Sequence, residues 1–246
     1  MLVNADFHLH SCFSMASSKD MIIRNMAPKA LLKGLNLLGT GDALHPKWLD
    51  IIKDTTTYSG DGIYTFGDMD FILTGEVEGR NRIHHVIIIP DLDIARELSE
   101  KIPSKNKHAD GRPITNLGGA ELLELAHEHD CLIGPAHAFT PWTGMYKSFD
   151  SIYDCYDSKP DFVELGLSAD TDMADTVAEL KDFVFLSNSD AHSPWPHRLG
   201  REFNRIELED NGIVESKSGN TTSQKKGYKA AFLQSRYRSR LFLSRS

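Results

Sequence analysis

The chain has 246 residues, 40% of them hydrophobic and 25% charged, which suits one substantial α/β domain or two small ones and is ordinary for a soluble globular protein. No apolar stretch approaches the ~20 residues of a membrane helix, and the N-terminus lacks the basic and apolar regions of a signal peptide, so no membrane partner and a cytoplasmic address are expected. The net charge of −8 is uneven: eight Lys or Arg against Glu215 give residues 211–246 a charge of +7, leaving −15 on residues 1–210. An acidic body excludes the broad basic footprint of a general nucleic-acid binder.

Cys12, Cys131 and Cys155 are too few and too scattered for a disulfide framework, and with no CxxC pair they read as buried free thiols. In chain order, strands are expected over Leu2–Phe7, Asn36–Thr40, Asp70–Val77, Ile83–Ile89, Cys131–Pro135, Asp161–Leu165 and Phe183–Ser187. Between them the apolar spacing of three to four predicts helices over Met26–Lys33, Lys47–Lys53, Leu92–Lys101, Gly119–His129, Phe149–Tyr156 and Ala174–Leu180. This alternation points to a mostly parallel sheet or barrel covered by helices. Thr55–Gly67 and Pro103–Leu117, rich in Gly, Asp, Asn, Thr and Lys, read as surface excursions. The boundary falls near Asp210, giving a domain over 1–210 and a basic tail over 211–246, poorly ordered at first with a basic amphipathic helix toward its end.

Metal-ligand residue types gather at the ends of the expected strands. His8 and His10 follow the first strand two residues apart, so in extended chain both rings point the same way. Asp190 and His192 form a second fork of the same spacing after Phe183–Ser187. His137 ends the run Cys131–Ala136, Glu76 ends Phe71–Gly75, and His84 opens Ile83–Ile89. In a barrel such ends share the face where active sites form. Imidazole and carboxylate donors without thiolates suit zinc first, with manganese, iron or magnesium as alternatives. The donors are too many for one ion, so two or three are expected, bridged by Glu76 or Asp190. Paired ions about 3.5–4 Å apart activate a water and clamp both oxygens of a phosphoester.

These motifs resemble the polymerase and histidinol phosphatase (PHP) domain family: His8-Leu9-His10, Glu76 after Gly75, Ala136-His137 and Ser189-Asp190-Ala191-His192 occur in the family's order. The resemblance implies a distorted seven-stranded α/β barrel over residues 1–210, with Asp42, Glu76 and Asp190 as catalytic carboxylates. A closer similarity, to the endonuclease Q group, is carried by Asp6–Ser11, Gly39–Trp48, Ile83–Val86, Asp110–Pro113 and Pro135–Trp142. It implies DNA as partner, nicked on the 5′ side of deaminated bases (uracil, hypoxanthine) or at abasic sites. The family's second motif, Asp-His, is here Asp42-Ala43, so Asp42 matches while His45 either replaces the imidazole or only starts a helix. The family's spacing from Val86 favours His84 over His85, and Glu78 is either a partner of the site or a solvated carboxylate. The group's cysteine-rich zinc module has no counterpart in the cysteine-free residues 211–246.

Lys47, Trp48, Arg80, Arg82, Arg112, Trp142, Arg198 and Arg201 are secondary candidates for phosphate contact or base stacking. Three functions remain open: a lesion-directed nuclease, a histidinol-phosphatase-like phosphomonoesterase acting on a small phosphorylated metabolite, or a degenerate metal-binding module.

Overall fold

A computed structural model describes residues 2–104, 106 and 109–207; the basic tail 211–246 lies outside the described residues. The chain runs through strand β1 (Leu2–Asp6), helix α1 (Ile23–Leu32), β2 (Leu37–Gly39), α2 (Pro46–Thr55), β3 (Thr57–Gly60), β4 (Ile63–Phe66), β5 (Met69–Glu78) and β6 (His84–Ile89). It continues through α3 (Leu92–Lys101), α4 (Gly119–Glu128), β7 (Leu132–Pro135), α5 (Ile152–Tyr156), β8 (Val163–Glu164), α6 (Thr171–Ala174), β9 (Phe185–Leu186) and β10 (Asn204–Glu207). Among the described residues no helix is long and apolar enough to cross a membrane.

The expected mostly parallel sheet is instead mixed. Parallel pairing holds for β1–β2, β2–β5 and β8–β9, whereas β1–β10, β3–β4, β4–β5, β5–β6 and β6–β7 are antiparallel. Only the five residues 79–83 separate β5 from β6, too few for the crossover a parallel pair needs. Long β5 is the pivot: residues 69–72 pair with β2 and β4, and residues 73–78 pair with β6. Eight strands form this sheet, and β8–β9 stands as a separate pair. The ladders do not close into a barrel. Isolated hydrogen bonds span both gaps: Asp161 N–H and Ala138 N–H donate to Ile133 O and Glu164 O beside β7 and β8, and Asp190 and His10 N–H donate to His8 O and Ala191 O beside β9 and β1.

Other boundaries move for local reasons. Thr55–Gly67, expected as a loop, contains the β3–β4 hairpin, turned by Asp61-Gly62 with positive φ at both positions; Asp-Gly between short strands is a hairpin signal. The expected helix Ala174–Leu180 splits, because Asp170 accepts from Met173 N–H and starts α6 early, and only a 3-10 turn follows over Ala178–Leu180. Likewise Ser151 caps α5 and Asp157, in the left-handed region, ends it. Strand β10 was not anticipated; it covers the edge of β1.

Two apolar clusters flank the sheet. Val3, Ala5, Phe7, Leu37, Val86, Ile88, Leu132, Ala136, Leu186 and Ile206 pack together on one side of their strands. Ile87, Ile89 and Ile133, on the other side of β6 and β7, join the larger cluster with helix residues such as Met26, Trp48, Leu98 and Leu122. Strands buried on both faces read as unbroken apolar runs, as His-His-Val-Ile-Ile-Ile shows. Residues just beyond this packing, at one end of the sheet, carry the polar side chains described next.

Candidate metal centre

His8 and His10 continue the direction of β1, with Leu9 bridged to Ala191 between them. Glu76 sits near the end of β5, and the antiparallel turn to β6 brings His84 back to the same end, where Glu78 and His84 face each other in register. β7 runs opposite to β6, so its C-terminal end delivers His137 there as well. Three of the polar residues bend the chain at these ends: Asp42, His137 and Asp190 have φ of 48°, 31° and 48°. Left-handed backbone is uncommon outside glycine, and such strain collects at functional sites.

Three groups of donors result: His8–His10–Glu76, His10–Asp190–His192 and Glu76–His84–His137, each with ligand atoms within 4.8 Å of one another. Glu76 and His10 are each shared by two groups. Glu76 Oε1 lies 2.8 Å from His84 Nδ1, 3.1 Å from His137 Nε2 and 3.5 Å from His8 Nε2. His10 Nε2 lies 3.3 Å from Asp190 Oδ1. Burial opposes ionisation of Glu76, but His84, His137 and His8 outweigh it and hold the carboxyl well below the usual carboxylate range. Burial likewise opposes the charge on His8, yet Glu164, then Glu76 and Asp190, raise it to about 9. His192 is lowered by burial and by the charge of His10.

Behind this face, carboxylates hold the far side of three rings. Glu164 meets His8 Nδ1 at 2.8 Å, Asp42 meets His10 Nδ1 at 3.1 Å, and Glu78 meets His84 Nε2 at 3.2 Å. Such contacts fix ring orientation and tautomer at metal sites. Both oxygens of Asp42 are engaged, accepting from Ser11 N–H, Ser11 Oγ and Ser14 Oγ as well as meeting His10. Glu164 also accepts from His137 N–H and Asn188 Nδ2, which ties β8 to three neighbouring segments.

The donors test well for a divalent ion. His8 Nε2 and His10 Nε2 are buried without a hydrogen bond, and they face ionised carboxylates with no thiolate in any group. Of the eight expected residues, seven (His8, His10, Glu76, His84, His137, Asp190, His192) supply the three groups, and Asp42 stands one layer behind. His45 starts α2 and stacks on Phe13. His85 points to the opposite side of β6, its Nδ1 2.6 Å from Tyr156 Oη. Of the secondary candidates, Arg112 reaches the centre: its Nη1 donates to Glu76 Oε2 at 3.0 Å. Trp48 is fully buried, with Nε1 donating to Gly41 O; Arg80 pairs with Glu121, Arg201 Nε donates to Ser189 O, and Trp142 is 77% exposed. Glu164 was missed, although it ends an expected strand just as Glu76 does.

The centre opens into a pocket of about 250 Å³ whose lining includes Glu76, His84, Arg112, His137, Asp190 and His192 together with Thr140, Thr143, Leu167 and Ser168. Asp190 and His192 are its most open donors, with side chains 34% and 37% exposed.

Fold and donor set together are consistent with a PHP-type domain. Within that class the chain is similar to endonuclease Q: the lesion-specific endonuclease of Pyrococcus furiosus and an endonuclease Q bound to a 27-mer duplex with an abasic lesion at the active site each share 52% identity at a TM-score of 0.83, over 86% and 85% of this chain and 54% of each of theirs. An uncharacterised protein of Methanocaldococcus jannaschii is 73% identical over 79 residues, 32% of this chain and 10% of that protein. A candidate metal-dependent phosphoesterase of Bifidobacterium adolescentis shares the fold at 12% identity and a TM-score of 0.51, over 86% of this chain and 91% of its own. No family model matches the chain. The chain thus spans about half the length of the endonuclease Q structures, and its 79-residue match covers a tenth of the M. jannaschii protein.

Proposed function

We propose that residues 1–210 form a distorted barrel whose ladders stay open at two gaps, and that this domain is a metal-dependent phosphodiesterase, nicking DNA on the 5′ side of uracil, hypoxanthine or an abasic site. The observation that carries the chemistry is the sharing of Glu76 and His10 among three donor groups, of which Glu76, His84, His137, Asp190 and His192 line one open pocket. The choice of DNA is supported by 52% identity to an endonuclease whose complex holds an abasic lesion at its active site.

Two or three divalent ions, zinc before manganese, iron or magnesium, would be held by His8, His10, Glu76, His84, His137, Asp190 and His192. Bound there, they would supply a lowered water pKa and charge stabilisation of the phosphoryl oxygens. Asp42, Glu164 and Glu78 keep the rings of His10, His8 and His84 aimed at the centre. Asp190 is held ionised by its contacts with His10 and His8 and opens to the pocket, so its carboxylate suits holding a cation and orienting an attacking water rather than taking its proton. His137, fixed through its backbone N–H by Glu164, keeps the wall beside Glu76 rigid. Extrusion of a damaged base into the pocket would provide selectivity, because unpairing costs least at a lesion.

The charge of −15 on residues 1–210 and the small pocket favour a second reading, a phosphomonoesterase of the same class. Metal-loaded protein is incubated with duplex DNA carrying uracil, hypoxanthine or an abasic site, and with a generic phosphomonoester, beside His8→Ala. Lesion-dependent nicking absent from His8→Ala is expected. Turnover of the monoester alone would replace the nuclease reading with the second one.

A further inference from the structure

Trp142 leaves 77% of its surface in water, whereas Trp48 is fully buried. Its place in the chain puts it at the rim of the pocket, because Thr140 and Thr143 on either side of it both line that pocket. A single exposed apolar side chain is ordinary. Here a second one, Leu167, is 48% exposed and lines the same pocket. The loops that carry the two adjoin: a Cβ on Gly166 would come within 2.6 Å of His137 Cβ and 3.4 Å of Thr140 Oγ1.

The backbone that presents Trp142 is held at both ends. Thr140 N–H donates to His137 O at 2.8 Å, Gly144 N–H to Thr140 O at 3.0 Å and Tyr146 N–H to Ala138 O at 3.2 Å. Thr143 O accepts from His84 N–H at 3.1 Å, which fastens the loop to the start of β6. Phe139 stacks on Tyr146 with ring centroids 5.1 Å apart, and Tyr146 Oη donates to Glu179 Oε1 at 2.7 Å. Only the indole is left in solvent, on a fixed root. A ring presented in this way costs little ordering when a partner meets it.

A protein cover over Trp142 and Leu167 would close the entrance to the metal centre, so this rim fits the substrate rather than a permanent partner. When the damaged nucleotide of a duplex enters the pocket, the base beside it loses its stacking neighbour at the rim. Apolar side chains fill such opened steps, and bases of every kind stack on an aromatic ring. We infer that Trp142, backed by Leu167, takes the place of the extruded base: its indole stacks on the base next to the lesion and holds the duplex open. This rests on the nuclease reading above. It adds a contribution to selectivity that lies outside the pocket and reads no base identity, so it is common to uracil, hypoxanthine and an abasic site.

The test compares nicking of one uracil site in a duplex and in a single strand, where no base pair has to be parted, by the metal-loaded full chain and by Trp142→Ala. The ratio of duplex to single-strand rate is expected to fall about 5–150-fold in Trp142→Ala and to recover in Trp142→Phe. An unchanged ratio in folded Trp142→Ala would overturn the inference. So would an equal loss on both substrates, which would point to a contact other than stacking in the opened step. Should Trp142→Ala not fold, 2-aminopurine placed beside an abasic site decides, read on the wild type before cleavage: quenching on binding supports the inference, and unchanged or brighter emission overturns it. A wild type that nicks neither substrate would sink the nuclease reading itself, which separates the two failures.

Discussion

Each of three rings facing the centre is tethered at its far nitrogen: His8 to Glu164, His10 to Asp42 and His84 to Glu78. Removing the charge of such a tether while keeping its shape leaves the ligand in place but less basic and less fixed. Glu164→Gln is therefore expected to weaken metal affinity about 10–100-fold, read by competition with a chelator dye; unchanged affinity would show that Glu164 is only structural. At this scale the sequence was informative where ligands come in extended pairs, because His8/His10 and Asp190/His192 share a side by the two-residue period. It was uninformative for Glu164, whose strand is only two residues long, and its neighbours Asp161, Phe162, Val163 and Leu165 show no alternation to mark its inward direction. Asp42 was legible only through resemblance, and spacing could not reveal that both of its oxygens are spent on Ser11, Ser14 and His10.

The elements matter through where they end. An antiparallel β5–β6 pair puts His84, at the start of its strand, beside Glu76, near the end of the other; a parallel pair would have sent His84 to the far end. Strand and helix positions were largely readable from apolar periodicity, whereas pairing direction follows from connection length, which a list of elements does not show. The Pro103–Leu117 segment, read as a surface excursion, delivers Arg112 because Gly111 and Asp110 root it against Phe13 and Met15. Close approach of the turn after β2 is equally specific: Gly41 has φ of 62°, and a Cβ there would come within 2.2 Å of Leu9 O, between the two histidines of the first motif. Gly41→Ala should cost about 2–4 kcal/mol from left-handed strain plus overpacking, seen in denaturant unfolding, and should weaken metal binding in parallel. Lost stability with intact metal affinity would mean that the turn does not position His10.

For the molecule as a whole, the centre is a cluster of buried charges whose balance depends on pH and metal. His8 is raised from 6.5 to about 9 in the folded chain. A group raised on folding binds more protons in the folded state, so its contribution is complete below about pH 6.5 and is lost as pH climbs through about 9. The metal-free protein should accordingly lose thermal stability over that interval. Ligand imidazoles must be deprotonated to bind, so divalent ions should raise Tm more near pH 9 than near pH 6.5. Equal increments at both pH values would show that His8 carries no proton in the metal-free fold. The open ladders between β7 and β8 and between β9 and β1, crossed only by isolated hydrogen bonds, are where the strands depart from a regular barrel: β8 and β9 are two residues each, too short to declare register from sequence.

Metal dependence of phosphodiester cleavage is the claim on which the rest hangs, and stepwise depletion and reconstitution measures it most directly. Chelated protein, still folded by circular dichroism, should leave an abasic-site duplex intact, and cleavage should return in proportion to the divalent ions taken up. Full nicking by protein that retains no bound metal would contradict the account.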